Sequence, residues 1–253
     1  MHFRVDDAGP GWWNMAVDSV WLDLAEREGV SSLRLYRWDP FCLSFGRHEP
    51  AARYDRDRIE ALELDTVRRP TGGRAVWHAR ELTYAVTAPL QRFGGMRQAY
   101  HRIHEMLAAA LRSLGIPAEL APTRSVPSPA AGACFAAPVG GEVLVRGRKV
   151  VGSAQVRQAN AFLQHGSLLL VDDQDLIRQL AGIGPRPDAG LPLGRPVTFE
   201  EAAGAIREAA TCLGALVNDP VRVDPRAIEA HSGRFRSAEW TWAGPRREVR
   251  SPR

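Results

Sequence analysis

Apolar side chains recur at helical spacing at Val17, Val20, Trp21 and Leu24, which predicts a helix capped by Asn14 and stopped by Gly29. The longest stripe covers 96–114, with Tyr100, Ile103, Leu107, Ala110 and Leu111 on one face and Gly115 beyond it. Shorter helices are expected over 57–64, 199–213 and 226–231. Two β-type runs, 33–37 and 41–45, flank Asp39-Pro40 and read as a hairpin-like pair. Further strands are expected up to Arg68-Arg69, over 82–87 by alternation, and over 162–171. Residues 142–145 and 149–154 flank Arg146-Gly147 as strand, turn, strand. Helices and strands are interspersed without a regular βαβ rhythm, so the expected class is α+β, a mixed β-sheet flanked by helices. The Pro-, Ala- and Ser-rich stretch 121–133 and the stretch 182–196 read as long loops, and 244–253 as a frayed tail.

The chain has 253 residues, 45% apolar and 25% charged, enough for one large domain; we expect a single domain over 1–253 with its core at about 14–242. No apolar run approaches the ~18 residues of a membrane span. Asp6 and Asp7 stand where a signal peptide would carry its apolar stretch, so a cytoplasmic protein is expected, without membrane association. The net charge of +4 is spread without a basic tract, which does not indicate nucleic acid and suits acidic protein partners. Cys42, Cys134 and Cys212 are far apart and make no zinc spacing or disulfide set. Among 33 basic residues only Lys149 is a lysine. It is either chance or a position that needs a compact ammonium able to share a proton, which guanidinium cannot do.

Four stretches carry candidate chemistry. In 68–78, Arg69, Thr71, Gly72, Gly73 and His78 surround a glycine pair whose N–H groups can approach a ligand; a tight turn explains the same pair. The stretch is neither a Walker loop nor GxGxxG. Cys134 leaves the Pro-rich stretch 15 residues before Lys149, whose ammonium would lower a nearby thiol pKa; a lone cysteine is otherwise a small core residue, the reading given to Cys42 and Cys212. Gly152, Ser153 and Ala154 face Gln164, His165 and Gly166 on neighbouring predicted strands, leaving room for a chain-like ligand, with His165 either a proton acceptor or a tautomer-locked buried ring. His101 and His104 lie one helical turn apart but lack further ligands, so no metal is expected.

Together the stretches 69–78, 133–138, 147–155 and 164–167 resemble the lipoate/biotin protein ligase superfamily, and within it the octanoyl-[acyl carrier protein]:protein N-octanoyltransferase branch of LipM type. The resemblance covers about 14–242. It implies the catalytic-domain fold of the biotin and lipoate ligases, which is class II synthetase-like, with an acyl tunnel along the sheet. It also implies octanoyl transfer from an acyl carrier protein to a lysine of a lipoyl-domain protein, such as the glycine cleavage H protein, through a Cys/Lys mechanism carried over to Cys134 and Lys149. No cofactor is implied, and no ATP. The alternatives are an ATP-dependent lipoate ligase and an amidotransferase between lipoyl domains. Arg74 stands where ligases commonly have a third glycine, and Ala133-Cys134-Phe135 stands where they carry Arg-Asn-Asp; both favour the transferase. Residues 136–141 lack the acid and aromatic pair frequent in relatives, which bears on carrier contacts. Backbone N–H groups near Gly72-Gly73 or Gly152-Ser153 are the candidate oxyanion donors.

Overall fold

The structure, a computed structural model, describes residues 1–122, 140–184, 190–217 and 223–245. In chain order its elements are β1 (His2–Val5), α1 (Gly11–Glu28), β2 (Ser32–Tyr36), β3 (Cys42–Phe45), α2 (Arg56–Ala61), β4 (Asp65–Arg68), β5 (Val76–His78), β6 (Glu81–Pro89), α3 (Leu90–Phe93), α4 (Met96–Ser113), β7 (Ala118–Leu120), β8 (Val143–Val145), β9 (Arg148–Lys149), β10 (Val151–Gln158), β11 (Ala161–Leu169), α5 (Asp175–Leu180), α6 (Phe199–Ala209), α7 (Pro225–Arg236) and α8 (Ala238–Ala243).

The main sheet has the order β1-β2-β6-β11-β10, with β1 and β2 parallel and the other pairs antiparallel. Helices cover both faces, so the central strands are mostly apolar, with Arg34 of β2 and Glu81 of β6 as buried charges, and β6 is buried along nearly its whole length. One core, containing Leu33, Leu82, Phe162 and Leu168, packs against α4 and α6. The other, containing Ala85 and Leu163, packs against α1, which is itself covered by α7. A second sheet, β4-β3-β5, lies on a third core with Phe45, Trp77 and Ile177. A third, β7-β8-β9, extends from α4.

The mixed α+β class and the long helix at 96–113 agree with the sequence reading. Several local expectations do not. The runs at 33–37 and 41–45 are not a hairpin: β2 joins the main sheet and β3 joins β4 and β5, because each finds a longer-range partner. Asn14 is not a cap. The helix starts three residues earlier, Asp65 accepts from the Gly11 N–H, and the buried Asn14 amide donates to the carbonyls of Gly9 and Arg37. Residues 149–154 split between β9 and β10, so only β8 and β9 form the expected pair. Cys212, expected in the core, is exposed in a 3-10 turn after α6, whereas Cys42 is fully buried. β1, β5, α3, α5 and α8 carry no clear periodicity and are too short to be read locally. The expected loop at 121–133 and the tail at 244–253 fall largely outside the described residues, as does part of 182–196. Among the described residues no helix is long and apolar enough to cross a membrane.

Candidate active site

Side chains alternate across β6 and β11, so Thr83, His165 and Ser167 point towards α1. Between that sheet face and α1 lies a pocket of about 360 Å3, including its open mouth. Met15, Tyr36, Trp38 and Thr83 are buried and form its floor, while the half-buried Ser153, Ala154 and Gly166 and the exposed Gly73 surround the mouth. Trp38 is fixed: its Nε1–H donates to Thr83 Oγ1 at 2.8 Å, and its ring stacks on His78 with centroids 4.0 Å apart.

Two histidines in the pocket wall each lean on a carboxylate. His165 Nδ1 lies 2.9 Å from Asp18 Oδ2, and Asp18 also accepts from Arg34 Nη1 and the Tyr36 hydroxyl. Burial opposes charge on Asp18, but His165 and Arg34 overcome it and hold the carboxyl below its ordinary range. The carboxylate can only accept, so Nδ1 carries the His165 proton and Nε2 accepts from the Thr71 hydroxyl at 2.6 Å. His78 faces Glu81 Oε1 through Nδ1 at 3.2 Å and Ser44 Oγ through Nε2 at 2.7 Å. Its burial outweighs Glu81 and keeps it neutral, with the pKa lowered.

The glycine-pair stretch is shaped from beneath. Arg69 donates to Ser44 O and Oγ with one nitrogen and to the Gly72 and Arg74 carbonyls with the other. Gly73 adopts φ +90°, and a Cβ on Gly46 would lie 1.9 Å from the Gly73 carbonyl oxygen, so this wall is held by backbone packed on backbone.

On the opposite sheet face, Ser153 and Gln164 join a buried polar chain. Burial and nearby Lys149 push the His104 pKa down to about 4, in spite of a bond to Gly141. The neutral ring therefore donates from Nδ1 to Gly141 O at 2.7 Å and accepts at Nε2 from the Ser153 hydroxyl at 2.8 Å. Tyr84 donates to Ser153 Oγ, Gln164 donates to Tyr84, and Gln155 donates to Gln164. Lys149 Nζ pairs with Glu142 Oε1 at 2.6 Å, both side chains 5% exposed. Cys134 lies outside the described residues; the stretch that carries it leaves after Pro122 and returns at Gly140, where Gly141 N–H donates to Ala121 O.

Residues 10–189 match the lipoyl protein ligase A/B catalytic domain family. The chain belongs to this family. It is 40% identical to octanoyltransferase LipM of Kyrpidia tusciae over 214 residues, 80% of this chain and 76% of that one. It is 36% identical to octanoyltransferase LipM of Exiguobacterium sibiricum over 261 aligned positions, 90% of this chain and 93% of that one. In fold it is similar to Ta0514, a putative lipoate protein ligase from T. acidophilum with bound lipoic acid, with a TM-score of 0.71 at 18% identity over 95% of this chain and 98% of that one.

Within this lipoyl protein ligase fold, the candidates from the sequence separate into groups. Arg69, Gly73, His78, Gly152, Ser153, Ala154, His165 and Gly166 border the pocket, with Thr71 one hydrogen bond behind it and Gly72 touching it only through the Arg69 bond. The Gln164 side chain and the Ser153 hydroxyl turn to the other face, because neighbouring strand positions alternate. Gly166 does not simply leave ligand space: a Cβ there would lie 2.4 Å from Gly152 O. His101 is exposed while His104 is buried with both ring nitrogens engaged, so they are not a ligand pair. Sequence reasoning missed Asp18, Tyr36, Trp38, Thr83 and Ser167. Asn14 and Asp18, an i,i+4 polar pair on an apolar helix, were the readable signal for Asp18.

Proposed function

We propose that this protein is an octanoyltransferase of the LipM kind. It moves an octanoyl group from an acyl carrier protein to the ε-amine of a lysine on a lipoyl-domain protein, within lipoate biosynthesis. The observation that carries this reading is the 36% identity, over nearly all of both chains, to an octanoyltransferase LipM. The lining of the pocket supports it: an aromatic and apolar floor of Met15, Tyr36 and Trp38 suits an alkyl chain.

In the proposed reaction the Cys134 thiolate attacks the carrier thioester carbonyl, a new C–S bond forms, and the carrier's thiolate leaves and takes a proton. The acceptor lysine, as the free amine, then attacks the octanoyl–Cys134 thioester. A C–N bond forms, Cys134 leaves as thiolate, and the amine's extra proton is released. The donor thioester supplies the driving force, so no nucleotide enters. Lys149 stabilises the thiolate and donates to the acyl carbonyl. The other two cysteines suit this role poorly. Burial pushes the Cys42 thiol far up, and partial burial raises Cys212 as well.

The test is intact mass after mixing with octanoyl carrier protein in nucleotide-free buffer. One octanoyl adduct, mapped to Cys134 and absent from Cys134→Ala, is expected. An adduct on Cys42 or Cys212, or modification that needs free octanoate with ATP, overturns the reading.

A further inference from the structure

Arg68 is the deepest cation that the candidate site leaves unused. It is 1% exposed, yet it sits next to Arg69 in the pocket wall's own stretch. Its Nε donates to the carbonyls of Trp240 and Thr241 at 2.9 and 3.0 Å, and its Nη1 to those of Gly46 and Glu49 at 2.6 and 2.8 Å. In return Trp240 Nε1–H donates to Arg68 O at 2.9 Å. One planar fork thus joins α8 to the 46–49 turn, a span that a single ammonium cannot bridge.

That turn leads into the pocket. Arg47 N–H donates to Thr71 O at 2.7 Å, Gly46 packs on the Gly73 carbonyl, and the Thr71 hydroxyl donates to His165 Nε2. A continuous series of contacts therefore runs from α8, beyond the 10–189 family match, to the imidazole in the pocket. We infer that α8 is a positioning element of the active site, acting through Arg68 to set the Thr71–His165 hydrogen bond. The inference rests on the octanoyltransferase reading only for its kinetic consequence.

The experiment compares wild type, Arg68→Lys, Trp240→Phe and a control, Ile228→Val, in the α1–α7 packing. Each is read by thermal melt, by the 15N resonance of His165 Nε2 (assigned with His165→Gln), and by kcat/KM for octanoyl transfer. Arg68→Lys is expected to melt in one transition, move the Nε2 resonance and lower kcat/KM about 10- to 100-fold, since small misplacements at a site cost that much. Trp240→Phe, which keeps an aromatic ring beside Arg234 and removes the return bond to Arg68 O, moves both readouts less and in the same direction; Ile228→Val moves neither. A folded Arg68→Lys or Trp240→Phe with the wild-type resonance overturns the inference, and so does a moved resonance with wild-type kcat/KM. If Arg68→Lys does not fold, Trp240→Phe decides alone. If wild type transfers no octanoyl group, the functional reading fails and the resonance still decides the coupling.

Discussion

His104 makes the protein acid-labile by an amount the structure sets. Its pKa falls from the ordinary 6.5 to about 4, first because burial disfavours the imidazolium and then because Lys149 repels it. Between those values the unfolded chain binds a proton that the native ring refuses, so stability rises with pH across the window and is lost as pH falls from 6.5 towards 4. With ~1.36 kcal/mol per unit, the full loss is about 3 kcal/mol, of which about 2 kcal/mol is gone on going from pH 7 to 4.5. The perturbation is His104→Gln, whose amide can still donate to Gly141 O and accept from Ser153 but cannot ionise. Urea unfolding at pH 7.0, 6.0, 5.0 and 4.5 is expected to show the variant less stable than wild type at pH 7, through the lost ring contact with Tyr100. That gap should narrow by about 2 kcal/mol at pH 4.5. His78 and Asp18 titrate in both proteins and cancel in the difference. Parallel stability curves down to pH 4.5 would refute the reasoning, since they would mean that the His104 proton is bound equally in both states.

Further outcomes follow from two buried pairs, Lys149–Glu142 and Thr71–His165. Lys149→Arg should slow formation of the acyl-enzyme, measured by quenched-flow mass spectrometry, because a larger planar cation cannot take the place of the compact ammonium held on Glu142 in this buried position; Lys149→Met should in addition cost about 3 kcal/mol in denaturant unfolding by leaving the Glu142 carboxylate without its ammonium. Thr71→Val removes the hydroxyl that satisfies His165 Nε2 and should lower the unfolding free energy by about 1–3 kcal/mol while also slowing transfer; unchanged melts would show that the bond contributes nothing.

Much of the wall of the pocket was legible in the chain because its chemistry is local. Arg69, Thr71, Gly73 and His78 sit within ten residues, and Gly152–Ala154 and His165–Gly166 lie on strands that pair directly, Ser153 opposite Gly166 and Ala154 opposite His165. Which way each side chain faces was not legible. Ser153 and Gln164 looked like site residues, but strand alternation turns their polar groups to the α4 face, where His104 and Tyr84 absorb them.

The chain by itself determined the long helix at 96–113, the glycine stop of α1 at Gly29, the mixed class and the stretches that border the site, because periodicity, turn residues and composition act over a few neighbours. Only the tertiary structure decided that β2 and β3 part into different sheets, that Asp65 rather than Asn14 caps α1, and that Asp18 stands behind His165. The same holds for α8, whose backbone carbonyls hold Arg68 across 172 positions of sequence. Each of these depends on a hydrogen-bonding group finding a partner far along the chain. No local pattern encodes such a pairing; it forms because a buried polar group left alone costs more than the ordering needed to satisfy it.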